Sequence, residues 1–143
     1  IRDTTIIHDI LQKAQVCRLG LSRNNRPYVV PMNYCFEGGS FYFHSASVGE
    51  KIEHLKENNA VCIEVDIPGQ IVPAEKPCSI GFSYRSVIAF GTASFVDDPR
   101  QKVDILTKIT KKYTGKEYTF SENEAESTAI IRVVPETLTG KQE

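Results

Sequence analysis

The chain has 143 residues, 41% of them hydrophobic and 24% charged, which is the size and make-up of one folded domain with a single core and not of a disordered segment. A formal net charge of −1 gives no reason to expect a nucleic-acid partner, which usually demands a clear basic excess. No apolar run approaches the length of a bilayer span and no signal-peptide pattern opens the chain, so no membrane role is expected; the start on Ile1 instead of Met suggests that natural N-terminal residues are missing.

Residues 4–14 place Ile6, Ile7, Ile10, Leu11 and Ala14 at helical spacing, with Asp3 or Thr4 as cap. "VCRLGLS" (16–22) alternates as a strand, and "RNNRP" (23–27) reads as a hairpin turn. "YVVPMNYCF" (28–36), "EGGS" (37–40) and "FYFHS" (41–45) read as strand, turn and strand, so three strands form an antiparallel meander. A short helix after Gly49 turns Ile52 and Leu55 inward, "AVCIEVD" (60–66) is a fourth strand, and a proline-rich loop covers 67–77. The stretch 78–96 is strand-like but too long for one strand, with a break expected near Tyr84–Ser86. Asp98 caps and Pro99 opens a helix that lines up Val103, Leu106 and Ile109; a polar loop, a strand over 128–134 and a tail "PETLTGKQE" complete the chain. The fold class that follows is mainly β (α+β): a closed or split antiparallel barrel of six or seven strands with a few peripheral helices, one domain over 1–143. A doubly wound sheet would need a helix after almost every strand, and the first three have none.

The four cysteines, Cys17, Cys35, Cys62 and Cys78, form no C-x-x-C pair and lie in apolar, strand-like segments. They read as reduced core residues and not as zinc ligands or disulfides, which suits a cytoplasmic protein.

The polar investment concentrates at one junction, "YFHSASVGEKIEHL" (42–55). A helix N-terminus presents unpaired N–H groups and partial positive charge, and so suits phosphate. Ser45 and Ser47 add hydroxyls, Gly49 allows close approach, and Lys51 adds a full charge; at an effective dielectric near 20 it contributes about 4 kcal/mol beside a phosphate charge before desolvation. The plainer reading is that Ser47 caps the helix while Lys51 lies in solvent. His44 is either structural or, at a strand end beside an anion site, a proton-transfer group. Pro31 inside a strand marks either a protected edge or a break that faces a ligand.

The string "VVPMNYCFEGGSFYFHSASVGEKIEHLKENNAVCIEVD", with "YRSVIAFGTASFVDDPRQKVDILTKITKKYTG" (84–115) and "LTGKQ" (138–142), resembles the pyridoxamine 5′-phosphate oxidase-like FMN-binding split barrels, closest to the nitroimidazole-resistance branch. The resemblance implies a homodimer with FMN at the subunit interface. It would set Pro31, Met32 and Asn33 along the flavin ring and His44, Ser45, Ala46 and Lys51 at the phosphate end or beside the flavin. Tyr84, Arg85, Ser86 and Val87 would approach from the second sheet, across the dimer. The cofactor's phosphate, with about −1.5 to −2 charges, would match a helix terminus plus lysine. The activity implied is oxidoreduction of a small oxidised molecule, such as a nitroaromatic, with His44 moving a proton. Vitamin B6 oxidation is not implied, because the tail offers only Lys141 where the true oxidases carry further basic residues. The competing readings are a non-catalytic FMN store or sensor, a haem-binding relative with His44 and His8 as axial ligands, and a barrel with no cofactor.

Overall fold

A computed structural model describes residues 1–143. Helix α1 (Thr4–Lys13) starts where Asp3 accepts from the amides of Thr5 and Ile6, and it buries Ile7, Ile10 and Leu11. Strands β1 (Cys17–Arg23) and β2 (Arg26–Met32) form a hairpin. Its turn holds Asn24 and Asn25 at φ 51° and 62°, the left-handed pair that matches strand twist in a two-residue hairpin. β3 (Tyr34–Glu37) and β4 (Ser40–Ala46) form a second hairpin. Helix α2 (Glu50–Glu57) leads into β5 (Ala60–Val72), and a 3₁₀ turn (Pro77–Ser79) precedes β6 (Gly81–Phe95). Helices α3 (Pro99–Thr114) and α4 (Glu122–Glu126) come before β7 (Thr128–Gln142).

All seven strands lie in one antiparallel sheet of order β2-β1-β5-β6-β7-β4-β3. The chain-neighbours β2 and β3 stand at opposite ends of that order, joined through Asn33 without hydrogen-bonding to each other. The sheet therefore curls into a barrel split along this seam. The split-barrel class expected from the sequence is the fold found, but the meander is not. The apolar run 28–36 divides at Asn33 into an edge strand and the start of a separate hairpin, because alternation continues through a bend that periodicity cannot register.

Four further expectations are corrected. The loop over 67–77 is strand as far as Val72, and a register irregularity between Pro68 and Ile71 absorbs the proline. The long segment does not break near Tyr84–Ser86: β6 runs unbroken through 15 residues and shifts register against β7 between Phe90 and Gly91. A Cβ at Gly91 would lie 2.4 Å from the Val134 carbonyl oxygen, so the close crossing needs glycine. The polar tail is the outer half of β7, paired with β6 as far as Gln142. Cys78 sits exposed in the 3₁₀ turn and not in a strand, whereas Cys17 and Cys35 are buried; burial pushes the Cys35 thiol up to about 12.

The main core fills the barrel with Leu19, Phe41, Phe43, Ile63, Val65, Val87 and Ile131, and α1 closes one side with Ile7, Ile10 and Leu11. A satellite core lies under α3, where Ile105, Leu106 and Ile109 meet Cys35 and Ile130. No helix is long and apolar enough to cross a membrane.

Candidate functional site

The β1–β2 ladder ends at the pair Cys17–Met32. Beyond it the chain continues on one side into Val16 and on the other into Asn33, which belongs to no strand. His44 lies near the end of β4 and projects away from the buried rings of Phe41 and Phe43. Val16, Pro31, Met32, Asn33 and His44 together line an open cleft of about 360 Å³. Pro31 occupies an edge strand, where its missing N–H costs no ladder bond, as one of its two sequence readings expected, and it also lines this cleft.

Lys51, in the first turn of α2, adjoins the cleft at Met32: its Nζ donates to Met32 Sδ at 3.3 Å. A thioether is a weak acceptor, and no carboxylate pairs with this ammonium. Burial pulls the Lys51 pKa down. A half-buried cation whose protein partner is a thioether is partly desolvated and stays open to an incoming anion. His44 is also shifted down from its usual 6.5, by burial first and by the Lys51 charge second, so its imidazole is neutral near pH 7.

The helix end itself is less free than the sequence suggested. The N-cap of α2 is Gly49, at φ 130°, and no side chain caps the helix; the expectation that Ser47 caps it is therefore not met. Ser45 Oγ donates to the neighbouring Ala46 carbonyl at 2.9 Å. Glu50 and Glu53 sit in the first turn and already answer the helix dipole. Lys51 thus carries the site's positive charge. Sequence reasoning missed how α2 is held: His54 is buried, its Nδ1 donates to the Glu50 carbonyl at 2.9 Å, and its ring stacks on Tyr28 of β2 at 4.9 Å. An aromatic on one edge strand facing a histidine on the next helix was the available signal.

Within one chain the structure brings together Pro31, Met32, Asn33, His44 and Lys51, with Ser45 and Ala46 following on β4. It places Tyr84, Arg85, Ser86 and Val87 elsewhere, on β6, separated from β2 by β1 and β5. Val87 is buried in the barrel core, and Arg85 is ion-paired to Asp9 at 3.1 Å. Tyr84 and Ser86 line a second groove of about 420 Å³ with Glu64, Asp66 and Phe82. Arg18 bridges both carboxylates there, at 3.3 Å and 3.5 Å. Lys141 lies 5.7 Å from the centre of the Tyr84 ring. His8, on α1, packs against Phe36 and does not line the His44 cleft. A larger hollow of about 610 Å³ flanks α3, but its lysines are engaged: Lys108 with Asp104, Lys111 with Glu117, and Lys112 with the Leu11 and Gln12 carbonyls.

A split barrel whose seam opens into a cleft with one unpaired cation defines the class of fold and site. The chain belongs to the pyridoxamine 5′-phosphate oxidase family, whose model matches residues 3–142. It is similar to a proposed 5-nitroimidazole antibiotic resistance protein from Bacteroides thetaiotaomicron, with 31% identity over 98% of this chain and 84% of that one and a TM-score of 0.88. An FAD- and haem-binding protein from Mycobacterium smegmatis shares the fold at 18% identity, covering 100% of this chain and 72% of that one, TM-score 0.89. So does an FAD-binding protein from Mesorhizobium loti, at 23% identity, 99% and 95% coverage and TM-score 0.75. A comparison with the curated proteins finds no match.

Proposed function

We propose that the protein binds FMN in the seam cleft and uses it to reduce a small oxidised molecule such as a nitroaromatic. The observation that carries this reading is Lys51, a half-buried ammonium with no carboxylate partner, at the edge of the Pro31–Met32–Asn33 wall. Family membership and the similarity to a proposed nitroimidazole-resistance protein support it. Lys51 would hold the phosphate, with the hydroxyls of Ser45 and Ser47 available to it. Pro31, Met32 and Asn33 would flank the ring, and Met32 would keep water from one side of it. The bound flavin supplies a two-electron carrier between a donor and the substrate. His44, neutral at physiological pH, can accept or pass on a proton at an imidazole nitrogen beside the substrate. FMN is favoured over FAD because the chain has one phosphate-sized charge site and no glycine-rich dinucleotide motif.

Purified protein should be yellow with flavin bands, and mass spectrometry of the released cofactor should give FMN. Native FAD, a Soret band or a colourless protein would each defeat the assignment. Steady-state assays with NADH or NADPH and a 5-nitroimidazole test the reductase half, and a loaded protein that turns over nothing would leave the FMN-store reading in its place.

The second groove gains a role if two copies join. The outward face of the sheet carries Val29, Ile88, Phe90 and Val134, with Phe90 55% exposed and Val29 63%. Val29, Gly20, Cys62 and Phe90 follow one another across four strands in register. An apolar band of that kind normally marks an interaction surface, and pairing two copies on it would let Tyr84 and Ser86 of one approach the cleft of the other. Sedimentation should therefore show a homodimer at micromolar concentration, and Phe90→Glu should shift it toward monomer with loss of FMN. A stable wild-type monomer would refute this arrangement.

A further inference from the structure

One hydroxyl from outside the barrel bonds to the residue next to each wall of the cleft. Tyr113, in the last turn of α3, accepts from the Tyr34 amide at 3.1 Å and donates to the Gln15 carbonyl at 2.6 Å. Gln15 directly precedes Val16 and Tyr34 directly follows Asn33, and Val16 and Asn33 both line the cleft. The register of the β1–β2 hairpin explains why this matters. Its last pair is Cys17–Met32; continued by two residues, it would oppose Val16 to Asn33 and then Gln15 to Tyr34. Gln15 C=O and Tyr34 N–H are thus the groups that a longer ladder would join directly. The tyrosine hydroxyl stands between them as an inserted rung, satisfying both while keeping the two segments apart.

The neighbouring contacts fix the tyrosine in place. Lys112 donates to the Leu11 and Gln12 carbonyls at 3.1 Å and 2.9 Å, and lies 4.5 Å from the centre of the Tyr34 ring. Tyr34 donates its own hydroxyl to the Leu11 carbonyl at 2.6 Å. The last carbonyls of α1, which have no partners within the helix, are thereby tied to α3 and to the first residue of β3. α3 contributes no side chain to the cleft lining, so its effect on the site passes through this linkage.

We propose that Tyr113 is a positioning residue that sets the separation of the Val16 and Asn33 walls and so the fit of the flavin between them. The proposal rests on the FMN reading for its ligand, but not for its geometry. Tyr113→Phe keeps the ring and removes only the inserted rung. Two measurements on the full chain test it. In the cofactor-free protein, hydrogen exchange at the Tyr34 amide should quicken about tenfold or more while the barrel core amides hold their wild-type rates, because that N–H loses its acceptor. In titrations with FMN, affinity should fall about tenfold, the scale of one hydrogen bond with its partners left unpaired. Thr114→Ala is the control, since that hydroxyl serves only its own helix end, and it should match wild type in both. Unchanged Tyr34 exchange, unchanged affinity, or faster exchange spread evenly through the barrel would each overturn the proposal. Should wild type itself not bind FMN, the functional reading fails, and the exchange measurement alone still decides what Tyr113 does.

Discussion

If the cleft holds FMN as proposed, Lys51→Ala should weaken its binding about ten- to a hundredfold while the barrel stays folded. The side chain reaches the cleft over Met32 and has no carboxylate to lose, so its removal leaves no buried charge behind and the apo-protein suffers little. The holo-protein loses a charge-assisted contact to an anion that stays ionised across the working pH range, and hydrogen bonds of that kind contribute about 1.5–3 kcal/mol. Fluorescence titration of apo-protein with FMN measures the loss, and raising the salt should narrow the gap between wild type and variant, as expected of a partly screened pair. Equal affinities would mean that Lys51 lies in solvent and that the 45–49 junction only turns the chain.

His44→Ala should show the opposite pattern: FMN affinity within about threefold of wild type, and turnover down by about a hundredfold or more, the scale of a lost acid–base group. A neutral imidazole offers little to a dianion but sits where the cleft opens. The pH profile carries the sign. Burial and the Lys51 charge both hold the His44 pKa below 6.5, so the neutral form persists on acidification past that value and is lost only further down. Wild-type turnover should therefore keep its plateau to below pH 6.5. In Lys51→Met, assayed at saturating FMN, the repulsion is gone and the acid limb should move up in pH. A limb that stays put in Lys51→Met, or undiminished turnover in His44→Ala, would reduce His44 to a wall residue.

The parts of this protein written in strong apolar periodicity were readable in advance. α1, the β1–β2 hairpin and α3 lie close to where their spacing and turn residues put them, and so does the strand–helix step at 42–55. The bend at Asn33 was not readable, since the residues on either side keep alternating and only the closure of the barrel demands that the chain turn there. The outer half of β7 was missed for a different reason: in "PETLTGKQ" only Leu138 packs against the core, and the threonines and charges face water. The expected break in β6 rested on length, whereas a bulge beside Gly91 lets one long strand follow the barrel's curve. In the candidate site, residue types were legible and support was not. Lys51, His44 and Pro31 announce themselves by residue type, but the hydroxyl of Tyr113 and the ring of His54 act through contacts made only after distant segments have come together.

The place of β7 in the sheet governs the order in which the molecule can assemble. β7 lies between β6 and β4, pairing Ala93 with Val133 on one side and Phe41 with that same Val133 on the other. Until it is available, the β3–β4 hairpin has no neighbour but itself, and the seam that later becomes the cleft has only one bank. The β1–β2 hairpin and the β5–β6 pair need only chain-local partners, but the seventh strand in chain order is the one that joins the two halves of the sheet. Pairings between such distant stretches are entropically slow to find, so the faces of Phe41, Phe43 and Val87 wait for β7. The chain is therefore at its most adhesive while β7 is unpaired, and the seam cleft takes shape only once β7 has joined β6 to β4.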